Sequence, residues 1–170
     1  MVTRNDPALA EWICLSLVAE APTHGWAIAG LLAPDAEIGR IWSLSRPLTY
    51  RALDQLHVDG AIVKAGEARG AGRTRQVLEV TERGRAAAAE WLEQPVALPR
   101  DVRTEFLVKL QLRRRSGLSL AQFARRQQET FAPMNAAVDP DDEDDFVLRW
   151  RREHLEAIDR FLAAIAKGDR

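Results

Sequence analysis

Residues 45–85 read SRPLTYRALDQLHVDGAIVKAGEARGAGRTRQVLEVTERGR. Ser45 can cap a helix with Pro47 in its first turn, and apolar residues then recur at helical spacing as far as Gly60, a helix stop. AIVKAGE and QVLEVT have strand character, and we expect the Gly- and Arg-rich segment between them to form a hairpin loop. Thr81 can cap an alanine-rich helix that follows. The pattern predicts a mainly α (α+β) winged helix-turn-helix fold.

The residues before this stretch predict two more helices. PALAEWICLSLVAE, residues 7–20, is continuously apolar, which is typical of a buried helix. GWAIAGLLA, residues 25–33, predicts a short helix, and His24 is expected to organise the turn before it through a hydrogen bond. IWSL, residues 41–44, is short and apolar, and we expect a brief strand there.

The chain after the alanine-rich helix predicts helices alone. Pro95 and Pro99 interrupt the pattern, so we expect one domain over residues 1–95 and a second, helical domain over residues 96–170. In the second domain, DVRTEFLVKLQLRRR has one apolar face, and Ser119 with Gln122 forms a capping box that opens the next helix.

The last helix is expected to start near Asp139-Pro140 and to carry an apolar stripe. The stripe has spacings of seven, three, four and three residues, like a coiled-coil seam: Leu148, Leu155, Ile158, Leu162 and Ile165. Such a stripe needs a partner, which predicts dimerisation through this helix. The acidic run DPDDEDD at its start lacks the spacing of a calcium loop, so we interpret it as favourable charge at a helix N-terminus.

Charge is concentrated in one part of the chain. Residues 40–85 contain nine basic and five acidic residues, a net charge of +4, whereas the whole chain carries −1. A basic segment in a nearly neutral protein indicates a localised face for anions. The segment GEARGAGRTR fits three interpretations: a nucleotide-binding loop, a solvated hairpin, or a basic wing on nucleic acid. The nucleotide loop is disfavoured because its motif lysine is missing and a strand follows.

The helix before the hairpin favours the basic wing. Arg46, Thr49, Tyr50 and Arg51 gather at its N-terminal end, the end that a recognition helix presents to the major groove. Arginines on a flexible hairpin can neutralise phosphates or enter a narrow minor groove. The alternative for Tyr50 is a ring that packs in the domain core with only its hydroxyl exposed.

The order of these blocks resembles the PadR family of transcriptional regulators. The resemblance runs through PTHGWAIAGLL, SxxxxYRALDQLHVDGAI, GAGRTRQVLEVTERGR, WLEQPV and RDVRTEFLVKL, and it covers nearly the whole chain to about Leu112. It implies a winged-helix DNA-binding domain, a C-terminal α-helical dimerisation domain, and a homodimeric repressor of a palindromic operator that responds to a small molecule or a stress signal. Trp26 and Pro47 depart from many relatives, which carry tyrosine and glycine there.

Together with the resemblance, these patterns predict contacts to double-stranded DNA from the recognition helix and the wing: Ser45, Arg46, Thr49, Tyr50, Arg51, Lys64, Arg73 and Arg75. Trp91 and Trp150 flank the expected dimer region, where the family implies effector binding, and are candidate effector contacts. A tryptophan in a helical core is also often core alone. Two alternatives stay open: a winged helix that binds protein rather than DNA, and a DNA-binding activator or MarR-like sensor.

The sequence predicts neither an enzyme nor a cofactor or metal site. The histidines lie in separate elements without metal-like spacing, and no nucleophile elbow is present. Cys14 lies in an apolar helix with nothing to lower its pKa, and a lone cysteine fits a reducing cytoplasm. No signal-like N-terminus or membrane-length apolar run is seen, so we expect a cytoplasmic protein.

Overall fold

The computed structural model describes residues 7–70, 73–136 and 145–168, and it divides into an N-terminal unit up to Glu93 and a C-terminal unit from Gln94. The elements of the N-terminal unit are α1 (Leu9–Glu20), α2 (Gly25–Leu31), α3 (Arg46–Val58), β1 (Ile62–Gly70), β2 (Arg73–Val80) and α4 (Glu82–Glu93). The predicted fold class is confirmed: the protein is mainly helical, with a small winged hairpin and a helical C-terminal region.

The core of the N-terminal unit is built around α1. Residues 13–18 of this helix are all buried, as its continuous apolar sequence predicts. The indole of Trp12 stacks on that of Trp91, with ring centroids 5.7 Å apart and an interplanar angle of 2°, and this contact joins α1 to α4. Ala52, Leu53 and Leu56 form the buried apolar face of α3.

The predicted strand at residues 41–44 is wrong. This segment lies in a series of turns after α2, because its backbone bonds return to preceding residues: Ile41 N–H and Trp42 N–H donate to the Ile38 carbonyl. Leu44 N–H donates to the Leu32 carbonyl at 3.0 Å. With its hydrogen bonds satisfied locally, the segment does not join a sheet.

Gly60 ends α3 in the way the sequence predicts. Its φ is +69°, and the paired bonds Gly60 N–H to His57 O and Ala61 N–H to Leu56 O form a Schellman-type end. Thr81 Oγ1 accepts from Gly84 N–H at 3.0 Å, so the predicted cap of α4 is also confirmed.

The strands of the hairpin are longer than the sequence suggests. β1 and β2 pair antiparallel from Ile62↔Val80 to Gly70↔Arg73, so most of the segment predicted as a loop is strand. The register shifts between Lys64 and Gly66, which marks a bulge. Thr23 and Leu78 exchange backbone bonds of 3.1 and 2.7 Å, which attaches the chain before α2 to β2.

The C-terminal unit begins with a 3₁₀ turn, Pro99–Asp101, and a π-helical turn, Val102–Phe106. α5 (Leu107–Arg115), α6 (Leu120–Ala136) and α7 (Phe146–Ala166) follow. Ser119 Oγ accepts from Gln122 N–H, as predicted for the start of α6, and Asp145 caps α7. The predicted start of the last helix near residues 139–140 lies outside the described residues.

The core of the C-terminal unit lies between α6, α7 and the π-helical turn. Phe106 and Phe123 stack with centroids 5.1 Å apart, and Phe131, Ile158 and Leu162 belong to the same buried cluster. Lys109, which is 1% exposed, pairs with Glu105 at 2.8 Å and donates to the Gln94 carbonyl at 2.9 Å. Burial lowers the pKa of Lys109, and the bond and charge of Glu105 oppose that shift.

No helix among the described residues combines the length and the apolar character needed to cross a membrane.

Candidate nucleic-acid interface

The N-terminal end of α3 presents an exposed, basic surface. Pro47 occupies the first turn, and the buried face of the helix turns Arg46, Leu48, Tyr50 and Arg51 outward. Leu48 and Tyr50 are 49% and 46% exposed, respectively. Cationic and aromatic side chains therefore stand together at the end of the helix that the sequence identifies for DNA.

Thr49 does not belong to this surface. It is 0% exposed, and its hydroxyl donates to the Ser45 carbonyl one turn earlier at 3.1 Å. We therefore remove Thr49 from the predicted DNA contacts, because burial keeps its side chain away from solvent. Ser45 is at the N-cap and exposed, but its hydroxyl makes no capping bond, which corrects the predicted cap.

The Tyr50 ring packs against Gly25, at a position where a larger residue would not fit. A Cβ at Gly25 would lie 2.6 Å from Tyr50 Cε1, so the tyrosine ring rests directly against the backbone at the start of α2. Nearly half of the residue remains exposed, so the ring is neither fully in the core nor free. The aromatic surface of α3 thus depends on a glycine in another element.

Arg75 projects from β2 onto the start of α2. Its guanidinium carbon lies 4.4 Å from the centroid of the Trp26 ring, and its Nη1 lies 3.4 Å from His24 Nε2. Stacking of a planar guanidinium on an indole face orders the side chain and leaves its N–H edge available. Lys64 is exposed on β1, and the side chain of Arg73 lies outside the described part of the structure.

A cavity of about 330 Å³ lies between α2, α3 and the hairpin. Its lining combines aromatic, imidazole and cationic groups, among them His24, Trp26, Tyr50, Lys64 and Arg75. The structure therefore brings together two predicted contacts from the hairpin and one from α3. Asp54 also lines the cavity and contributes negative charge.

Two residues at this cavity were missed as site residues by sequence reasoning. His24 was expected only to organise a turn, and its Nδ1 does accept from Ala27 N–H at 3.0 Å, but its other nitrogen faces Arg75. The sequence marks Trp26 only as a departure from the tyrosine of many relatives. No periodicity places either residue beside β2, because the contact depends on the Thr23–Leu78 bridge.

The predicted dimer seam on α7 is partly used within the chain. Ile158 and Leu162 are 6% and 1% exposed in the core against α6, and Ile165 packs on the same cluster. These residues therefore do not form a free seam, because α6 already covers them. Leu148 and Leu155 are half-buried.

The two candidate effector tryptophans lie in different units. Trp91 is 5% exposed and stacked on Trp12, so it is a core residue of the N-terminal unit and is removed from the effector contacts. Trp150 is 64% exposed on α7 and stacks on His154, with centroids 5.0 Å apart.

Metal ligands and the lone cysteine are the remaining groups with potential reactivity in the described ranges. Within them, no group of three His, Cys, Asp or Glu residues is arranged to hold a metal ion. Cys14 is fully buried, and desolvation, helped by the charge of Glu11, raises the pKa of its thiol from 9.0 to about 12. A protonated, buried thiol is a poor nucleophile.

Residues 14–90 match the model of the transcriptional regulator PadR-like family. Over these residues, the N-terminal unit is similar to that family of transcriptional regulators. The match covers α2, α3 and the hairpin, the elements that line the cavity, and it extends over most of α4. The resemblance predicted from the sequence is therefore confirmed over residues 14–90, and its later stretches, WLEQPV and RDVRTEFLVKL, lie beyond the match.

Comparisons with individual proteins are more distant. Crystallised Bacillus subtilis PadR in complex with operator DNA has a TM-score of 0.49 and 20% identity, covering 94% of this chain and 98% of that one. The Vibrio cholerae virulence activator AphA has a TM-score of 0.43 and 24% identity, covering 94% and 92%. No curated protein matches the sequence.

Proposed function

We propose that this PadR-like regulator is a cytoplasmic homodimer that binds a palindromic operator in double-stranded DNA and represses transcription until a small molecule or stress signal releases it. Its DNA-binding domain is the N-terminal unit and its dimerisation domain the C-terminal unit. The proposal includes no catalysis, since the matched family is one of transcriptional regulators.

One observation carries the DNA-binding proposal: the exposed end of α3 and the basic hairpin border a single cavity. Tyr50 lines it from α3, and Lys64 and Arg75 line it from the two strands. In a winged helix, this arrangement lets α3 enter the major groove while the hairpin reaches the adjacent backbone or minor groove. Tyr50 and Arg51 are then placed for base edges.

Phosphate contacts would supply most of the affinity. Arg46 and Ser45 stand exposed at the start of α3, and Lys64, Arg73 and Arg75 belong to the hairpin. Each cation that neutralises a phosphate releases counterions, so binding weakens as salt rises. Base contacts from α3 then distinguish one sequence from another.

For the homodimer, we propose the exposed apolar face of α7 in place of the stripe that α6 covers. Phe146, Trp150 and Phe161 are 82%, 64% and 41% exposed, and with Ala157 they follow spacings of four, seven and four residues. Such a run of large apolar side chains on one helix face is typical of an interface. A second copy of α7 would bury it around a two-fold axis.

The DNA proposal is tested by fluorescence anisotropy with a duplex from immediately upstream of the gene and a scrambled duplex, at two salt concentrations. We expect tight, salt-dependent binding to the first duplex and weaker binding to the second. Arg75→Gln should weaken binding to both and lower the salt slope by about one unit, because one phosphate contact is lost.

Arg83→Gln is the matched control. It removes the same charge from the N-terminal unit, but Arg83 Nη2 donates to the Asp59 carbonyl at the opposite end of α3. Equal losses in the two variants would assign the effect to overall charge rather than to the hairpin. A folded protein that binds neither duplex would favour the alternative of a winged helix that binds protein. If the protein does bind the upstream duplex, a reporter gene under that sequence distinguishes repression from activation.

A further inference from the structure

His24 makes two contacts that cannot both be ordinary hydrogen bonds. Its Nδ1 accepts a hydrogen bond from Ala27 N–H at 3.0 Å, which requires that Nδ1 carries no hydrogen. In a neutral imidazole the hydrogen then resides on Nε2, so Nε2 is a donor. Yet Nε2 lies 3.4 Å from Arg75 Nη1, and a guanidinium has only donors. Two N–H groups therefore face each other across the cavity wall.

Both partners are held in this arrangement by other contacts. His24 is fixed by its bond at the start of α2, and Arg75 is fixed by stacking on Trp26. Neither side chain can turn away without losing that contact. Two N–H groups that face each other can both donate to one acceptor placed between them. An oxygen about 2.9 Å from each nitrogen would accept both hydrogen bonds.

The charge of the surroundings favours an anionic acceptor. The Arg75 guanidinium is always cationic, and Lys64 adds a second cation to the cavity wall against one carboxylate, that of Asp54. Hydrogen bonds from a guanidinium to a charged oxygen are about twice as strong as those between neutral groups. The cavity of about 330 Å³ has room for a phosphate or carboxylate group.

We propose that His24 Nε2–H and Arg75 Nη1–H form an oxyanion site that takes one oxygen of a phosphate or carboxylate group. The oxyanion has two possible sources, a DNA backbone phosphate and a free small anion. The first source rests on the proposed function and assigns His24 as an additional phosphate contact. The second is independent of DNA and would make the cavity a site where an anion competes with the duplex.

His57 provides an internal comparison. It lines the same cavity, but its Nδ1 lies 3.2 Å from the Ile62 carbonyl oxygen, which only accepts. Nδ1 of His57 therefore carries the hydrogen, and in the neutral ring its Nε2 is an acceptor. The two histidines should thus be opposite tautomers, and only His24 offers a donor to an anion.

The experiment records imidazole ¹⁵N–¹H spectra of the full chain, assigned with His24→Asn and His57→Asn, during titration with inorganic phosphate or with the upstream duplex. Chloride at equal ionic strength is the blank. We expect His24 in the Nε2–H form, and its Nε2 resonance should shift with phosphate if the site takes free anions, or with the duplex alone if it takes the DNA backbone. Arg75→Gln should abolish the shift.

Anisotropy with the same duplex gives a second readout. Asn is a good N-cap, so His24→Asn keeps an acceptor for Ala27 N–H while removing the second donor. We expect its DNA affinity to fall about tenfold if the phosphate is that of DNA, and to stay unchanged if the anion is free.

Three results would overturn the oxyanion site: an Nδ1–H tautomer for His24, no His24 shift with either phosphate or duplex, or a shift that survives Arg75→Gln. If the wild type binds the duplex but His24 does not respond, the proposed function stands and the site fails. If phosphate shifts His24 in a protein that does not bind DNA, the site stands and the proposed function fails.

Discussion

At the scale of single residues, burial sets the chemistry of Cys14. The thiol is removed from water inside α1, and its pKa is raised to about 12, chiefly by desolvation. A thiolate is the reactive form, so the folded protein protects this group. We expect iodoacetamide at pH 8 to leave Cys14 unmodified in the native protein and to label it on unfolding; rapid labelling of the folded chain would contradict this burial.

The same shift predicts a dependence of stability on pH. Because the thiol pKa is raised in the folded state, the protonated thiol contributes to the free energy of unfolding. This contribution is fully present below pH 9.0 and is lost as pH rises through about 12. Between these values the loss should be about 1.4 kcal/mol per pH unit. The measurement compares urea unfolding of the wild type and Cys14→Ala at pH 8.5 and 10.5. A free-energy difference between them that stays constant with pH would refute the shift.

At the scale of elements, the hairpin is shaped by its bulge. Gly66 has a φ of +146°, and its carbonyl accepts from Gln76 Nε2 at 2.6 Å across the ladder. An L-residue adopts this φ only with strain, so the bulge and the path of β1 depend on glycine. The position of Lys64, just before the bulge, depends on the same feature.

We expect Gly66→Ala to destabilise the hairpin by about 1–3 kcal/mol. Amide hydrogen exchange should accelerate in β1 and β2 while α1 is unaffected, and DNA affinity should fall. Gly30→Ala is the control, since Gly30 lies in α2 with open space around its Cα and no positive φ. Equal exchange rates in the two variants would show that the bulge carries no strain.

A second prediction at this scale concerns the ion pair between the buried Lys109 and the half-buried Glu105, which ties the π-helical turn to α5. Glu105→Ala removes one charged partner of the buried Lys109 ammonium, and should cost about 1–3 kcal/mol of unfolding free energy. Glu105→Ala combined with Lys109→Met should recover part of that loss, because the buried ammonium is removed as well while the Gln94 carbonyl loses its Lys109 donor. Urea unfolding measures both; a double variant no more stable than the single one would exclude this cause.

At the scale of the whole molecule, α7 has two apolar faces with different roles. One face, with Ile158 and Leu162, packs in the core of the C-terminal unit, and the other, with Phe146, Trp150 and Phe161, is exposed. The exposed face is the one proposed to join two copies. The two faces can be separated by placing the same charge on each.

We expect Phe161→Asp to give folded monomers and Ile158→Asp to disrupt the C-terminal unit. Light scattering reports the mass, and circular dichroism reports the helix content. Phe161→Asp should also weaken operator binding, because two linked heads bind a palindrome more tightly than one. A folded, dimeric Phe161→Asp variant would place the dimer interface elsewhere.

Local patterns were sufficient for the main elements. The buried character of α1, the end of α3 at Gly60 and the Thr81 cap follow from signals within a few residues of each feature. They could be predicted because capping, helix termination and periodicity are short-range effects. The length of the strands could not, because pairing between β1 and β2 extends the ladder into residues that favour turns.

The surface available for function was decided by tertiary packing. Helical spacing identifies α3 and α7, but it does not predict which face of each helix another element covers. For this reason the burial of Thr49 and the packing of Ile158 against α6 were not predicted. The meeting of His24 with Arg75 likewise needs β2 to lie beside the start of α2, 51 residues away in sequence. Local sequence specifies the elements through short-range hydrogen bonds and periodicity, whereas long-range packing determines which side chains remain to meet a partner.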